Sequence, residues 1–347
     1  MTLIDVSFIG TSDYYISISL IVFGYLFESV GLFERDTHHT AANQQGRIIK
    51  GITMKIMKAP LSLVKAKQAV STMLMPERRD LKFNFDPNII SNWHYSGGPV
   101  FTSFLNTLSS ILPVGERFFI DAVRAHRDQI TDPELKKAVT AFIGQEAMHG
   151  REHDAYNEAF FAKAPAGKQF EDVVSVLLAR ITQHMPASFC LSATIALEHF
   201  TALLADGVLS DPRVADGADP QYAALWRWHA LEETEHKAVA YDVWEVVMGK
   251  GVGAYGLRSL GLVLATVIFW GLTIPAFLAV LRQEGQLTNL KGWQKMYQFA
   301  FGDIGMLRRQ LGNYLDYFRP GFHPWDHDNR EYLQQIDQFL AEQQAVA

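Results

Sequence analysis

From about residue 100 onward, apolar positions recur at the three- and four-residue spacing of a helix, and alternating strand patterns are scarce. The spacing predicts helices over about 102–127, 133–163, 170–207 and 220–248, the third open to a break near Pro186. Two start signals are sharp. Asp132-Pro133 and Asp219-Pro220 each set an N-capping carboxylate before a proline at the first helical position. The stretches "KAPAGKQ" and "LSDPRVADGADP" supply the breakers between helices. Long helices joined by short or moderate connections predict an all-α fold built on an antiparallel four-helix bundle.

The pattern then changes. Ser259 to Leu281 contain no charged residue and are flanked by Arg258 and Arg282. Their 23 residues match the roughly 20 that a bilayer span requires. A span, a helix lying in the interface and a buried core helix all fit, and Pro275 admits a break suited to monotopic insertion. Basic residues on both sides leave orientation open. Residues 290–345 read as one or two amphipathic helices, and "HPWDHDN" (323–329) as an exposed turn whose two histidines are a weak metal candidate. The expected organisation is therefore an N-terminal extension over 1–55, membrane-associating or poorly ordered; a helical di-metal bundle over 80–250; an apolar helix over 251–285; and a helical tail over 286–347. The N-terminus lacks the basic n-region and small-residue cleavage site of a signal peptide.

Composition narrows the classes. A net charge of −6 and a pI near 6.1 give no footprint for a nucleic-acid partner. The lone Cys190 excludes an internal disulfide and a Cys-based zinc site. Its apolar surroundings read as inert core, and a reducing compartment follows: the cytoplasm, or the cytoplasmic side of a membrane.

The chemistry lies in a repeated motif. Glu-x-x-His occurs as Glu146-x-x-His149 and again as Glu233-x-x-His236, 87 residues later. Residues three apart share a helix face, so one carboxylate and one imidazole can grip the same cation. A bundle site for two metals needs two such motifs plus one glutamate from each of two other helices. Glu116 in "LPVGERFFIDAV" and Glu198 in "LSATIALEHFTALLA" supply them, and a bare carboxylate in the second stretch is costly unless ligated. Four carboxylates balance two divalent ions, and oxygen with imidazole donors suits iron, with manganese also accepted. His229, four before Glu233, and His153, four after His149, are candidates for a seventh ligand or for groups behind the ligands. Glu232, Asp242 and Asp206 are candidate outer-shell partners, and Glu235 has the same reading through a ligand imidazole N–H. His94 and His199 read as ordinary hydrogen-bonded histidines.

The order Glu116, Glu146-x-x-His149, Glu198, Glu233-x-x-His236 resembles the ferritin-like di-iron carboxylate superfamily. More narrowly, "GERFF", "QEAMHGREH", "LEHFTALLAD" and "WHALEETEHKAVAYDVW" resemble the bacterial family labelled "predicted metal-dependent hydrolase", over about residues 80–320. His229-x-x-x-Glu233-x-x-His236 is also similar to the seven-ligand pattern of arylamine N-oxygenases related to p-aminobenzoate N-oxygenase. The segment 259–281 has no counterpart in that pattern. The resemblance implies two iron ions that activate O2 to oxidise a nearby substrate, with glutamates bridging and histidines fixing the iron positions.

The leading expectation is thus a di-iron oxygenase or hydroxylase acting on an apolar or lipid-like substrate, with no catalytic residues beyond the metal ligands. Electrons would come from an external donor protein, because no flavin or nicotinamide fingerprint is present. A membrane is an expected partner, and a homodimer is admitted. Two rival expectations are a di-metal hydrolase of an ester or amide, and a non-catalytic metal-binding protein at a membrane.

Overall fold

The computed structural model describes residues 74–346; the expected extension over 1–55 lies outside them. The described residues are helical, and the one β-bridge among them pairs His94 with Ala218. In chain order the α-helices are α1 (Gly98–Ser109), α2 (Leu112–Arg124), α3 (Pro133–Lys163), α4 (Pro165–His184), α5 (Ala187–Leu209), α6 (Pro220–His236), α7 (Val239–Met248), α8 (Val252–Gln283), α9 (Leu290–Ala300), α10 (Leu311–Asp316) and α11 (Ile336–Val346).

The two capping signals act as expected. The Asp132 carboxylate accepts from the Glu134 N–H, and Asp219 accepts from the N–H groups of Gln221 and Tyr222. Each satisfies donors that the first helical turn leaves orphaned. Pro186 separates α4 from α5.

Three expectations need correction. The helix drawn over 102–127 is two helices, broken after Ser109, where Pro113 has no N–H to continue the ladder. The helix drawn over 220–248 stops at His236, and a turn at Lys237–Ala238 restarts it as α7. Pro275 does not break α8, which runs through it to Gln283.

α2, α3, α6 and α5 form a closed ring, each packed against the next and α5 back against α2. α1, α4 and α8 cover that ring from outside. The largest core cluster centres on Trp93, Tyr156, Tyr222 and Trp228. Trp93 stacks on Tyr222 at 5.2 Å and its indole N–H reaches Asn106 Oδ1 at 2.9 Å, so this aromatic group is both packed and satisfied. Residues 74–86 have no regular secondary structure and run along α3 and α6. Phe83 N–H donates to Glu152 (2.9 Å) and Arg151 donates to the Leu81 carbonyl (2.5 Å), which holds this strap in place.

Candidate metal centre

Each helix of the ring sends acids or imidazoles inward. α2 contributes Glu116, α3 contributes Glu146 and His149, α5 contributes Glu198, and α6 contributes His229, Glu233 and His236. All seven are buried, the most accessible being His229 at 5 %. The structure gathers six of them into two adjoining groups, with Glu198 in neither but beside His236 of the second. Glu116, His149 and His229 form one, and Glu146, Glu233 and His236 form the other. Within each, the candidate donor atoms lie inside 4.8 Å of one another.

The groups are linked by shared carboxylates. Glu233 Oε1 lies 3.0 Å from His229 Nε2 and 3.8 Å from His149 Nδ1, while its Oε2 lies 3.5 Å from His236 Nε2. Glu146 Oε1 lies 3.9 Å from His149 Nδ1 and 3.0 Å from His236 Nε2. Glu116 stands beside His229 at 3.8 Å, and Glu198 beside His236 at 3.7 Å. The arrangement suits two cations with Glu146 and Glu233 between them, Glu116 at one end and Glu198 at the other. It is asymmetric, with two imidazoles at the Glu116 end and one at the Glu198 end.

The hydrogen-bond state of these atoms tests whether a metal pair fits. Both oxygens of Glu116, Glu146 and Glu198, Glu233 Oε2, His149 Nδ1 and His236 Nε2 are buried without a hydrogen-bond partner. Buried polar atoms are seldom left so. Here they converge on one interior volume, and hard-to-borderline cations would satisfy them together. Gly150 belongs to the same cradle. A Cβ there would sit 3.1 Å from Glu116 Oε2, so a side chain on α3 would crowd the carboxylate.

Without cations the electrostatics are strained. Burial, then the neighbouring carboxylates, push Glu116 and Glu198 well above the usual carboxylate range. Burial also raises Glu146, against the pull of His236. Burial pushes Glu233 the same way, but His236 and His229 outweigh it and hold Glu233 well below. Burial opposes a charge on His236, yet Glu233 and Glu146 hold it well above its ordinary value.

Behind the inner residues, three hydrogen-bond chains fix which ring nitrogen faces inward. Asn157 Nδ2 donates to the Ser109 carbonyl, so its Oδ1 must accept from Ser109 Oγ at 2.8 Å. Ser109 Oγ therefore accepts from His153 Nδ1 (2.8 Å), and His153 Nε2 accepts from His229 Nδ1 (2.8 Å). His229 Nε2 is thereby the ring atom turned toward Glu233 and Glu116. His153 stands behind His229 and belongs to neither inner group. His149 Nε2 donates to Glu232 Oε2 (3.1 Å), leaving Nδ1 inward. Gln145 Nε2 donates to Glu235 Oε2 (2.6 Å), so its Oε1 accepts from His236 Nδ1 (3.0 Å) and Nε2 faces inward. Such partners orient imidazoles and raise their basicity.

Two of these chains meet at one cation. Arg79, on the strap, donates to Glu232 (3.1 Å) and, with both terminal nitrogens, to Glu235 (2.9 and 3.1 Å). Burial pushes Glu232 up to about 7, with Arg79 pulling the other way. Neither Arg79 nor Gln145 is singled out by the sequence. Gln145 had a signal, as a polar residue beside a ligand glutamate on a helix; Arg79, in an aperiodic stretch, had none.

Other expected partners do not reach the centre. Asp242 lies on α7 beyond the turn and pairs with His323 at 3.0 Å. Asp206 is two turns past Glu198, about 12 Å along the axis, and accepts from Gln310 and Asn329. It lines a separate cavity with His199, Lys237, Tyr317 and His327. His94 is satisfied by the Val214 carbonyl and the Gly97 N–H, whereas the Nε2 of His199 has no partner. His323 and His327 pair with Asp242 and Asp316 rather than forming a third metal group.

The inner group opens on one side to an apolar cavity of ≈ 50 Å³ lined by Leu105, Leu108, Leu204, Val208, His229 and Glu233, among others. His153→Leu would leave His229 Nδ1 without its acceptor. Metal affinity is expected to fall about 10- to 100-fold with helicity retained. A metal titration followed by circular dichroism checks this; unchanged affinity refutes the role given to His153.

A family model described as "Predicted metal-dependent hydrolase" matches residues 77–328. The matched span starts at the strap and ends in the 323–329 turn, enclosing the whole site. No curated protein and no solved structure matches the chain. The chain belongs to that family of predicted metal-dependent hydrolases.

Proposed function

Starting from that membership, we propose that the protein is a dinuclear metal enzyme that uses O2 to oxidise a small apolar substrate, with iron as its resident metal. The observation that carries this reading is the seven-residue inner set, four glutamates and three histidines, opening onto an apolar wall. When bound, two ferrous ions would supply the two-electron activation of O2. Glu116, His149 and His229 would hold one ion, Glu198 and His236 the other, and Glu146 and Glu233 both. The chain's own contributions are positional. The histidine chains keep each lone pair inward, and the carboxylates balance the cations. Leu105, Leu108, Leu204 and Val208 give the side on which His229 and Glu233 face the cavity an apolar wall. Reducing equivalents would come from an external donor protein.

The family's description favours a second reading, metal-assisted hydrolysis of an ester or amide, more directly than it favours oxidation. Two metals can activate a water and clamp a leaving oxygen. Against it stands the cavity lining, which offers no free acid or base for a leaving group beyond the inner residues.

One comparison separates the two. Anaerobically reconstituted protein is expected to hold about two irons per chain, to change its optical spectrum on mixing with O2, and to be inactive toward esters when loaded with zinc. Fewer than about one iron in a normally folded chain argues against the centre itself. Ester or amide turnover with zinc and without O2 would establish the hydrolase.

A further inference from the structure

α8 has two unlike faces. One is packed against α1, α4 and α5, with Ala254, Leu262, Ala276, Phe277 and Val280 buried. The other is exposed. Between Ser259 and Leu281 the exposed positions are Leu260, Val263, Val267, Gly271, Ile274 and Leu278. They are spaced 3, 4, 4, 3 and 4 apart, which puts them on one stripe about 27 Å long. All six lack a polar side chain, and Val267 is 55 % and Ile274 51 % exposed. A contiguous apolar patch of this extent marks an interaction site.

The buried face rules out a span by α8 alone. Arg258 is buried; it donates to Tyr241 Oη at 2.7 Å and to the Arg319 carbonyl at 3.1 Å. Ser192 Oγ on α5 donates to the Leu257 carbonyl at 2.9 Å. At Gly261 the two helices come so close that a Cβ would collide with Ser192 Oγ. A helix fastened in this way cannot be surrounded by acyl chains, but it can lie in the membrane plane with one face immersed.

Composition and charge identify the occupant. Protein interface cores are enriched in aromatic residues, Met and Arg, whereas this stripe is aliphatic and glycine. Residues 250–300 contain Lys250, Arg258, Arg282, Lys291 and Lys295 against the single acid Glu284, a net +4 in a chain of net −6. Arg258 is buried and Lys250 is paired with Glu245 at 2.9 Å, so the free cations are Arg282, Lys291 and Lys295, exposed at and beyond the C-terminal end of the stripe. Cations at one end of an aliphatic face match anionic headgroups above acyl chains.

We propose that α8 is a monotopic docking helix, whose Leu260–Leu278 stripe enters the headgroup–acyl boundary of a membrane containing anionic lipid. The proposal does not depend on which reaction the metal centre performs. The test is flotation of the full metal-loaded chain with vesicles of phosphatidylcholine, with and without phosphatidylglycerol, beside the Val267→Glu/Ile274→Glu variant. Both positions face solvent, so helicity and metal content should be unchanged. The wild-type chain is expected to partition onto the anionic vesicles, more weakly onto neutral ones, and the variant to lose at least about tenfold. Should the double variant misfold, Val263→Ser/Ile274→Ser makes the same comparison at lower perturbation. Three results overturn the proposal: a wild-type chain that stays unbound, a folded variant that binds as well as wild type, or a soluble dimer that the variant separates, which would make the stripe an interface between copies.

Discussion

Glu198→Leu is expected to raise the melting temperature of the metal-free protein and to abolish most of the further rise that metal brings. Both oxygens of Glu198 are buried without partners. Its surroundings on α5 are apolar, with Ile195, Ala196 and Phe200 buried beside it. Replacing a buried polar group that finds no partner with an apolar group of similar volume removes its desolvation penalty, about 1–3 kcal/mol. In a domain of this size each kcal/mol moves the midpoint by roughly 2–4 °C. The wild-type chain should recover at least a comparable amount with metal, since a ligand at 100 to 1,000 times its dissociation constant adds about 2.7–4.1 kcal/mol. The variant, with one end of the centre open, should gain little. Calorimetric scans with and without ferrous ion check both halves. A metal-free variant that melts below the metal-free wild type would mean that Glu198 serves a protein partner instead, and would remove it from the centre.

That contrast explains why the inner residues were legible in the sequence. Glu198 is conspicuous because it is an acid where periodicity demands an apolar residue. Glu146 and His149, and likewise Glu233 and His236, stand out because helical spacing alone puts each pair on one face. The helix starts at Pro133 and Pro220 were legible for a similarly local reason, a capping carboxylate one residue before proline. What failed was extrapolation beyond local rules. Asp242 looked like an outer partner only on the assumption that α6 continues, and the turn at Lys237–Ala238 redirects the chain. Asp206 shares a helix with Glu198 but is displaced along its axis, which face-counting ignores. Whether His229 or His153 faces the centre could not be read from spacing, since both lie four residues from a motif member. The choice depends on Ser109 and Asn157, two residues on different helices whose hydrogen bonds set the tautomers of both rings. Arg79 was invisible for the opposite reason: its stretch has no period, and only tertiary placement brings it to α6.

Arg79→Met carries the second large expectation. The guanidinium is the only cation paired with Glu232 and Glu235 among the described residues, and both carboxylates are buried. Removing one partner of a buried ion pair typically costs about 3–5 kcal/mol, because the charge left behind is uncompensated. Here two buried carboxylates lose their cation at once, so a marked loss of stability should accompany the change. Stability alone does not establish a role at the metals. Glu232 orients His149, and Glu235 orients His236 through Gln145. Arg79 therefore holds one imidazole at each end of the centre. Releasing it should weaken metal binding at both ends, by about 10- to 100-fold, and should shift the absorption bands of a cobalt-loaded chain. Arg79→Lys restores a charge but not the planar fork that spans two carboxylates. It should recover much of the stability and little of the spectrum. Adding Glu235→Gln to Arg79→Met removes one of the stranded charges and should restore part of the lost stability. If Arg79→Met lowers the melting temperature while metal affinity and cobalt bands stay as in wild type, Arg79 only fastens the strap to α6, and the two histidines are oriented without it.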